Sequence, residues 1–390
     1  MQELSEEYLN KIIGLGEETR VQFKEKITDI DSLTAEMVAF SNALGGLILV
    51  GVSDKSEIIG IESHVIRTLN QAIANSANQK ITPAIYPQVT IWELEGKNVL
   101  VINIPKGTAK PYSTNKGIYW TKVGSDKRKL SREELLRLFQ ESGSIMVDEL
   151  LIQGTECQKD IDLSYFYTFF EKQYGTFVQE QDLPFEQLLS NIGIAENGVL
   201  NLAGLMLFGK NPERFRPTFI IKAVSFYGNQ ITDTQYKSSI DISGKLENQF
   251  NTAISFLKNN LNFIQNNQNF NSIGQLEIAE EALLEVIQNA LFHRDYSKNA
   301  PIHLLVYSDR VEIISPGVLP NHLTIEHIKN GNSVIRNSRI TSLGGKILPY
   351  RGLGSGIRRI LQFHPHTEFV NDMEGERFIV IFKREIMNNE

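Results

Sequence analysis

The stretch EALLEVIQNALFHRDY, residues 281–296, has the apolar spacing of a helix packed along one side. Leu283, Leu284, Val286, Ile287, Ala290 and Leu291 supply the packing surface. Glu285 and Asn289 are four residues apart, so a helix sets them on one face, one turn from each other. A side-chain amide oxygen can complete a magnesium shell that already holds phosphates and waters. A carboxylate one turn away can orient or deprotonate an attacking water. His293, Arg294 and Asp295 crowd the end of the same helix. A Glu and an Asn at this spacing also suit an ordinary solvated helix surface, and the flanking sequence decides between the two readings.

Working outward, two glycine-bearing elements follow. Residues 310–315 read as a strand that runs into the turn Ser315-Pro316-Gly317. The loop RGLGSGI, residues 351–357, directly precedes a helical pattern through residue 363. Glycines let a backbone approach phosphate closely, and the free N–H groups of a helix start favour anions. Arg351, Arg358 and Arg359 add positive charge there. With strands at 301–307, 367–371 and 376–383, residues 271–390 read as an α/β unit. Its glycine-containing 328–345 region is the candidate lid.

Upstream, residues 1–140 read as a separate α/β unit. A helix at 33–43 stops at Gly45-Gly46, a buried strand follows at 47–52, and a hairpin at 89–104 turns at Glu95-Gly96. Ser131 and Glu134 form a capping box for a helix through 139. Residues 141–270 are a mixed, more helical middle segment. It has helices near 161–172, 183–192 and 242–262, a strand at 218–226, and an asparagine-rich loop before the last unit.

Composition bounds the function. The 390 residues carry 41% hydrophobic and 22% charged side chains, the balance of a globular multi-domain protein. The net charge of −7 argues against a binder that is basic all over, though not against a local basic surface. One such surface is predicted between Lys106 and Arg132. It includes Lys110, Lys122, Lys127, Arg128 and Lys129, with Tyr112, Tyr119 and Trp120 interleaved and Lys24 as an outlier. Cations can neutralise phosphates and aromatics can stack on bases, which makes nucleic acid the expected partner; a solvated hairpin would carry the same charges. A single cysteine, Cys157, excludes an internal disulfide and a Cys-based zinc site and fits a reducing, cytoplasmic setting. No apolar run reaches the ~18 residues of a membrane span, and no signal peptide is expected.

In this order, LLEVIQNALFHRDYS, ISPGVLP, IRNSRI and RGLGSGI resemble the GHKL ATPase superfamily, and within it the divergent AAA_4 branch of ATP-binding transcriptional regulators. The resemblance implies a Bergerat-type α/β sandwich that binds ATP with Mg2+. Glu285 is then the general base and Asn289 the magnesium ligand. His293, Arg294, Ser315, Gly317, Gly352, Gly354 and Gly356 contact the nucleotide. Most of that superfamily reads adenine with an Asp before the first glycine; here Ser315-Pro316 stand in its place. Nucleotide-dependent self-association is also implied.

Residues 16–62, with Phe23-Lys24, AFSNALGGLILVGVSD at 39–54 and Ile59-Gly60-Ile61, resemble the Schlafen AlbA_2 domain; LNLAGLMLFGKNPERFRP at 200–217 resembles what joins the two domains in bacterial proteins of this architecture. The Schlafen resemblance implies an association with nucleic acid, in transcriptional regulation or anti-phage defence. Some Schlafen-type domains cut tRNA with three metal-holding carboxylates. Glu17 matches the first position and Asp54 lies near the third, but the second is Gln22, whose neutral amide is a poor substitute at a hard-metal site. Three outputs therefore stand: an ATPase controlling a nucleic-acid-binding domain, a metal-dependent ribonuclease, or a non-hydrolysing ATP-bound interaction module.

Overall fold

The computed structural model describes residues 4–264, 274–320, 323–349 and 356–384. The chain is mixed α and β and divides into two compact units, Met1–Ile145 and Met146–Glu390. Among the described residues no helix is long and apolar enough to cross a membrane.

In the first unit a four-stranded sheet runs in the order Val21–Lys24, Gly46–Val50, Lys97–Ile104, Gln88–Leu94. The first two strands are parallel and joined by the helix Ile30–Asn42, the crossover that parallel strands require. The other pairings are antiparallel. Strand side chains alternate in direction, so the sheet feeds two cores. Ile48, Val50, Leu100 and Ile102 enter one with the helices Ile30–Asn42 and Ser63–Gln79; Leu47, Leu49, Val99 and Val101 enter the other with Glu6–Leu15. The Gly45-Gly46 stop has a steric cause. Gly45 has a φ of +74°, and a Cβ on Gly46 would run into the Phe40 ring. The capping box is present, with Glu134 N–H donating to Ser131 Oγ (3.2 Å) and Ser131 N–H to Glu134 Oε2 (2.9 Å).

The second unit is built on a six-stranded sheet. Its order is Tyr236–Ile242, Ile221–Phe226, Ile302–Val306, Arg310–Pro316, Arg377–Lys383, Glu368–Asp372. Only the Ile221–Phe226 and Ile302–Val306 pair is parallel. The sequence reading separated 141–270 from 271–390, yet two strands of the former are hydrogen-bonded into the sheet of the latter. The helices Leu246–Asn260 and Glu280–His293 pack on this sheet and on each other. Ala282, Leu283, Val286, Ile287, Ala290 and Leu291 are all buried, which fixes the rotation of the Glu280–His293 helix and leaves the Glu285/Asn289 side for other use. Gly356–Phe363 lies against that side. Part of the asparagine-rich stretch falls outside the described residues.

Candidate nucleotide site

Glu285, Asn289 and His293 recur every four residues along one helix face and line a single cavity. The opposite walls are the strand residues Ile313, Ser315, Phe378 and Val380, the turn Gly317–Leu319, the segment Asn332–Arg336, and the helix start Gly356-Ile357. The lining is mostly apolar, with Glu285, Asn289, Arg359, Arg336, His293 and Ser315 among its polar groups.

Glu285 is 8% exposed. Its Oε1 accepts from Asn289 Nδ2 at 3.3 Å, and its Oε2 lies 3.3 Å from Arg359 Nη1. Burial raises the Glu285 pKa above the ordinary carboxylate range, while Arg359 and the Asn289 amide act in the opposite direction. With Nδ2 as the donor to Glu285, the Asn289 carbonyl oxygen is that side chain's acceptor. A Cβ on Gly356 would run into Glu285 Oε1, so a side chain there would displace the carboxylate. Gly352 and Gly354 lie outside the described residues.

At the turn, Gly317 has a φ of +97°, and a Cβ there would press on Asp295 and Arg336. The Ser315 hydroxyl donates to Ala290 O at 3.3 Å. His293 lies deep in the wall, and burial, with Arg336 nearby, pushes its imidazole down to about 4, so it is neutral at physiological pH. Arg294 departs from expectation. It is 2% exposed and does not line the cavity. Its guanidinium sits over the Phe219 and Tyr296 rings (4.5 and 4.8 Å) and donates to Ala300 O at 2.7 Å. One residue beyond His293 the chain has turned into the core, so Arg294 holds the helix exit rather than a ligand.

The residues that fix this exit carry no helix-face signal in the sequence. Arg336 donates to His293 O (3.3 Å) and Val318 O (2.7 Å), and Asn337 Nδ2 donates to Phe292 O (2.9 Å) and Arg294 O (3.0 Å). Together they satisfy the last carbonyls of the Glu280–His293 helix and tie it to the Gly317 turn. The IRNSRI stretch, within the candidate lid, is thus a clamp on the Glu280–His293 helix. Asp148 Oδ2 in turn accepts from the N–H groups of Arg339 (2.7 Å) and Ile340 (3.0 Å), capping the helix Ser338–Gly344.

The basic stretch of the first unit divides by burial. Lys122 has no exposed side-chain surface; it donates to Gln22 Oε1 (2.8 Å) and Ser125 O and lies 3.6 Å from Glu36 Oε2. Lys110 is buried, donates to Ala43 O (2.8 Å), and desolvation pulls its ammonium down to about 8. These two are structural cations and do not present charge to a phosphate. Lys127 pairs with Glu36 at 2.8 Å, and Arg128 binds Glu134 through both terminal nitrogens (2.6 and 2.7 Å). Lys106 and Lys129 are exposed, and Lys24 is half-buried. The nuclease constellation is not assembled either. Gln22 Nε2 donates to Glu17 Oε1, Asp54 is exposed on a turn, and among the described residues no group of three His, Cys, Asp or Glu could hold a metal ion. Lys122 instead brings an ammonium to Gln22 Oε1 and Glu36, where a hard cation would have needed carboxylates.

Residues 17–131 match the family model "Schlafen, AlbA_2", and residues 299–382 match "Putative ATP-dependent DNA helicase recG C-terminal", HATPase_c_4. No curated protein matches. Among solved structures, the DIP2311 protein from Corynebacterium diphtheriae is 21% identical with a TM-score of 0.45, over 94% of this chain and 65% of that one, so the chain spans about two thirds of its length. The N-terminal domain of a RecG-related protein from Nitrosomonas europaea is 21% identical with a TM-score of 0.26, over 33% of this chain and 95% of that one. The chain therefore joins an N-terminal Schlafen AlbA_2 domain to a C-terminal ATPase-like HATPase_c_4 domain.

Proposed function

We propose that the C-terminal unit binds and hydrolyses ATP in this cavity, and that its nucleotide state controls nucleic-acid binding by the Schlafen AlbA_2 domain. The observation that carries the reading is the convergence of Glu285 and Asn289, on one helix face, with the Gly356 helix start around one cavity whose lining is mostly apolar. A triphosphate suits the polar groups Asn289 and Arg359, and a base suits the apolar side chains of the lining. The family matches support the same pairing of an ATPase-like domain with a nucleic-acid-associated one.

In the proposed step a water oxygen bonds to the γ-phosphorus while the bond from that phosphorus to the β,γ-bridging oxygen breaks. Glu285 takes the water proton, and ADP leaves with the bond's electron pair. A buried carboxylate with a raised pKa is a stronger base than an exposed one, which suits this role. Asn289 fits Mg2+ as a single amide ligand to an ion that arrives with the phosphates; a site able to hold the ion alone would need more oxygen donors than this one has. When bound, Mg2+ supplies charge neutralisation of the phosphates. Gly317, Ser315 and His293 would contact the nucleoside, and Gly352, Gly354 and Gly356 the phosphates.

Calorimetry of Mg-ATP binding on wild type and Asn289→Ala tests the pocket, with loss of most affinity expected in the variant. Phosphate release from wild type and Glu285→Ala tests turnover. Equal, near-zero rates with ATP binding retained would favour the non-hydrolysing module instead. The ribonuclease reading is disfavoured by Gln22 and Lys122, and tRNA cleavage lost on Glu17→Ala would restore it. Exposed Lys106 and Lys129, with Arg128 and half-buried Lys24, are the proposed nucleic-acid contacts. Transcriptional control or anti-phage defence is the proposed output, in the cytoplasm, with nucleotide-dependent homo-oligomers.

A further inference from the structure

We propose that the strand Tyr236–Ile242 is a docking edge for a second copy of this chain, the two strands pairing antiparallel about a two-fold axis at Ser239. The pairing needs no ligand and does not rest on the nucleotide reading above.

Tyr236–Ile242 ends the six-stranded sheet on one side, and among the described residues no strand lies beyond it. A strand in that position spends half of its backbone N–H and C=O groups on its neighbour and turns the other half outward, as a template for one more strand. Ile242 is its one buried residue. Large apolar side chains gather at this edge and on the connection leading into it. Tyr227 is 62% exposed, Ile231 66%, Tyr236 56% and Ile240 39%. Exposed apolar side chains grouped in this way, tyrosine among them, mark an interaction surface.

The charges select the partner. Lys237 and Asp241 stand two residues to either side of Ser239. In an antiparallel pair centred on Ser239, each Lys237 faces the partner's Asp241, so both ion pairs form at once. Tyr236 then faces the partner's Ile242, and the two Ile240 side chains lie diagonally across the axis, within reach of each other. In its own sheet Lys237 is the extra residue of a β-bulge, opposite no residue of Ile221–Phe226, and its ammonium rests over the Tyr227 ring at 5.5 Å. Asp241 lies 3.6 Å from Lys222, with both side chains exposed. A bulge and a lysine keep foreign strands off an edge. Here the acid four residues on answers the lysine, so the edge rejects an unmatched strand and admits its own copy.

Sedimentation of the full chain without nucleotide, over a concentration series, tests the pairing. Wild type should dimerise. Lys237→Asp leaves only acids along the strand and Asp241→Lys only cations, so each variant alone should weaken the dimer about tenfold or more, through two like-charge pairs. An equal mixture of the two variants should recover association near the wild-type level, because every acid then faces a lysine. Ser239→Cys supplies a second readout. It sets a thiol on the axis at a separation a disulfide can span, and should give a covalent dimer on mild oxidation, whereas the native Cys157 is buried. A chain that stays monomeric throughout the series overturns the proposal. So does a dimer that neither charge variant weakens, or a wild-type-strength dimer in which Ser239→Cys fails to crosslink.

Discussion

Glu36 in the N-terminal unit and Glu285 in the C-terminal unit are both buried carboxylates with basic partners, but their surroundings differ. Glu36 is 3% exposed and faces two ammonium groups, Lys122 and Lys127, one of them with no exposed surface. Its site is closed and its charges are spent on each other. Among the described residues, Glu285 has one cation, Arg359, at the edge of a cavity, and one weak amide contact. A carboxylate enclosed by two cations is part of the fold's interior. An open carboxylate whose burial is only partly compensated suits chemistry, because a ligand can still change its partners.

The contrast is most exposed to failure by truncating each acid. Glu36→Ala leaves Lys122 buried with one neutral amide and a carbonyl, and breaking a buried pair in this way costs about 3–5 kcal/mol. Urea unfolding of the full chain should show that loss in the N-terminal unit. Glu285→Ala should leave stability nearly unchanged or slightly raised while phosphate release falls ~100-fold or more. Equal stability losses in the two variants would erase the distinction between a structural and a functional acid.

Lys110 sharpens the same comparison through pH. Desolvation lowers its folded-state pKa from 10.5 to about 8, so between those values the unfolded chain binds more protons than the folded one. Stability of the N-terminal unit should therefore rise as pH goes from about 8 to 10.5. Lys110→Met should remove much of that rise while leaving behaviour below pH 8 nearly flat. A smaller effect is expected at Asp148, which caps Ser338–Gly344 through two N–H groups. Asp148→Ala should cost about 1–2 kcal/mol, the value of a buried helix cap, and weaken Mg-ATP binding because Arg336 and Asn337 lie just before that helix.

Much of this was legible in the chain because it depends on local periodicity. The face Glu285–Asn289–His293 follows from helical spacing, and the Ile30–Asn42 helix, the Gly45-Gly46 stop and the 88–104 hairpin follow from apolar pattern and turn residues. Arg294 was misjudged because the helix ends at His293, and one residue of changed backbone direction carries the guanidinium into the core. The strand Tyr236–Ile242 gives no alternating signal because most of it is exposed on both faces at the sheet edge. The roles of Arg336, Asn337 and Asp148 are tertiary: their partners lie about 20 to 190 residues away, where no local spacing can point. Lys110 and Lys122 look like surface charge in sequence, and only the fold shows that carbonyl, amide and carboxylate oxygens surround them.

That last point sets the smallest and most selective prediction. If burial sorts the basic stretch, only its exposed members can neutralise phosphate. Lys106→Glu/Lys129→Glu should weaken binding of a short nucleic acid several-fold and reduce the slope of log affinity against log salt by about one to two, one counterion per contact removed. Lys110→Met should leave that slope unchanged, since Lys110 is buried and its ammonium is held on Ala43 O at 2.8 Å. A slope that fell equally with Lys110→Met would mean the N-terminal unit opens to expose its interior cations when it binds. The closed charge cluster would then belong to the binding surface after all, and the division between the two kinds of acid would hold only for the unbound protein.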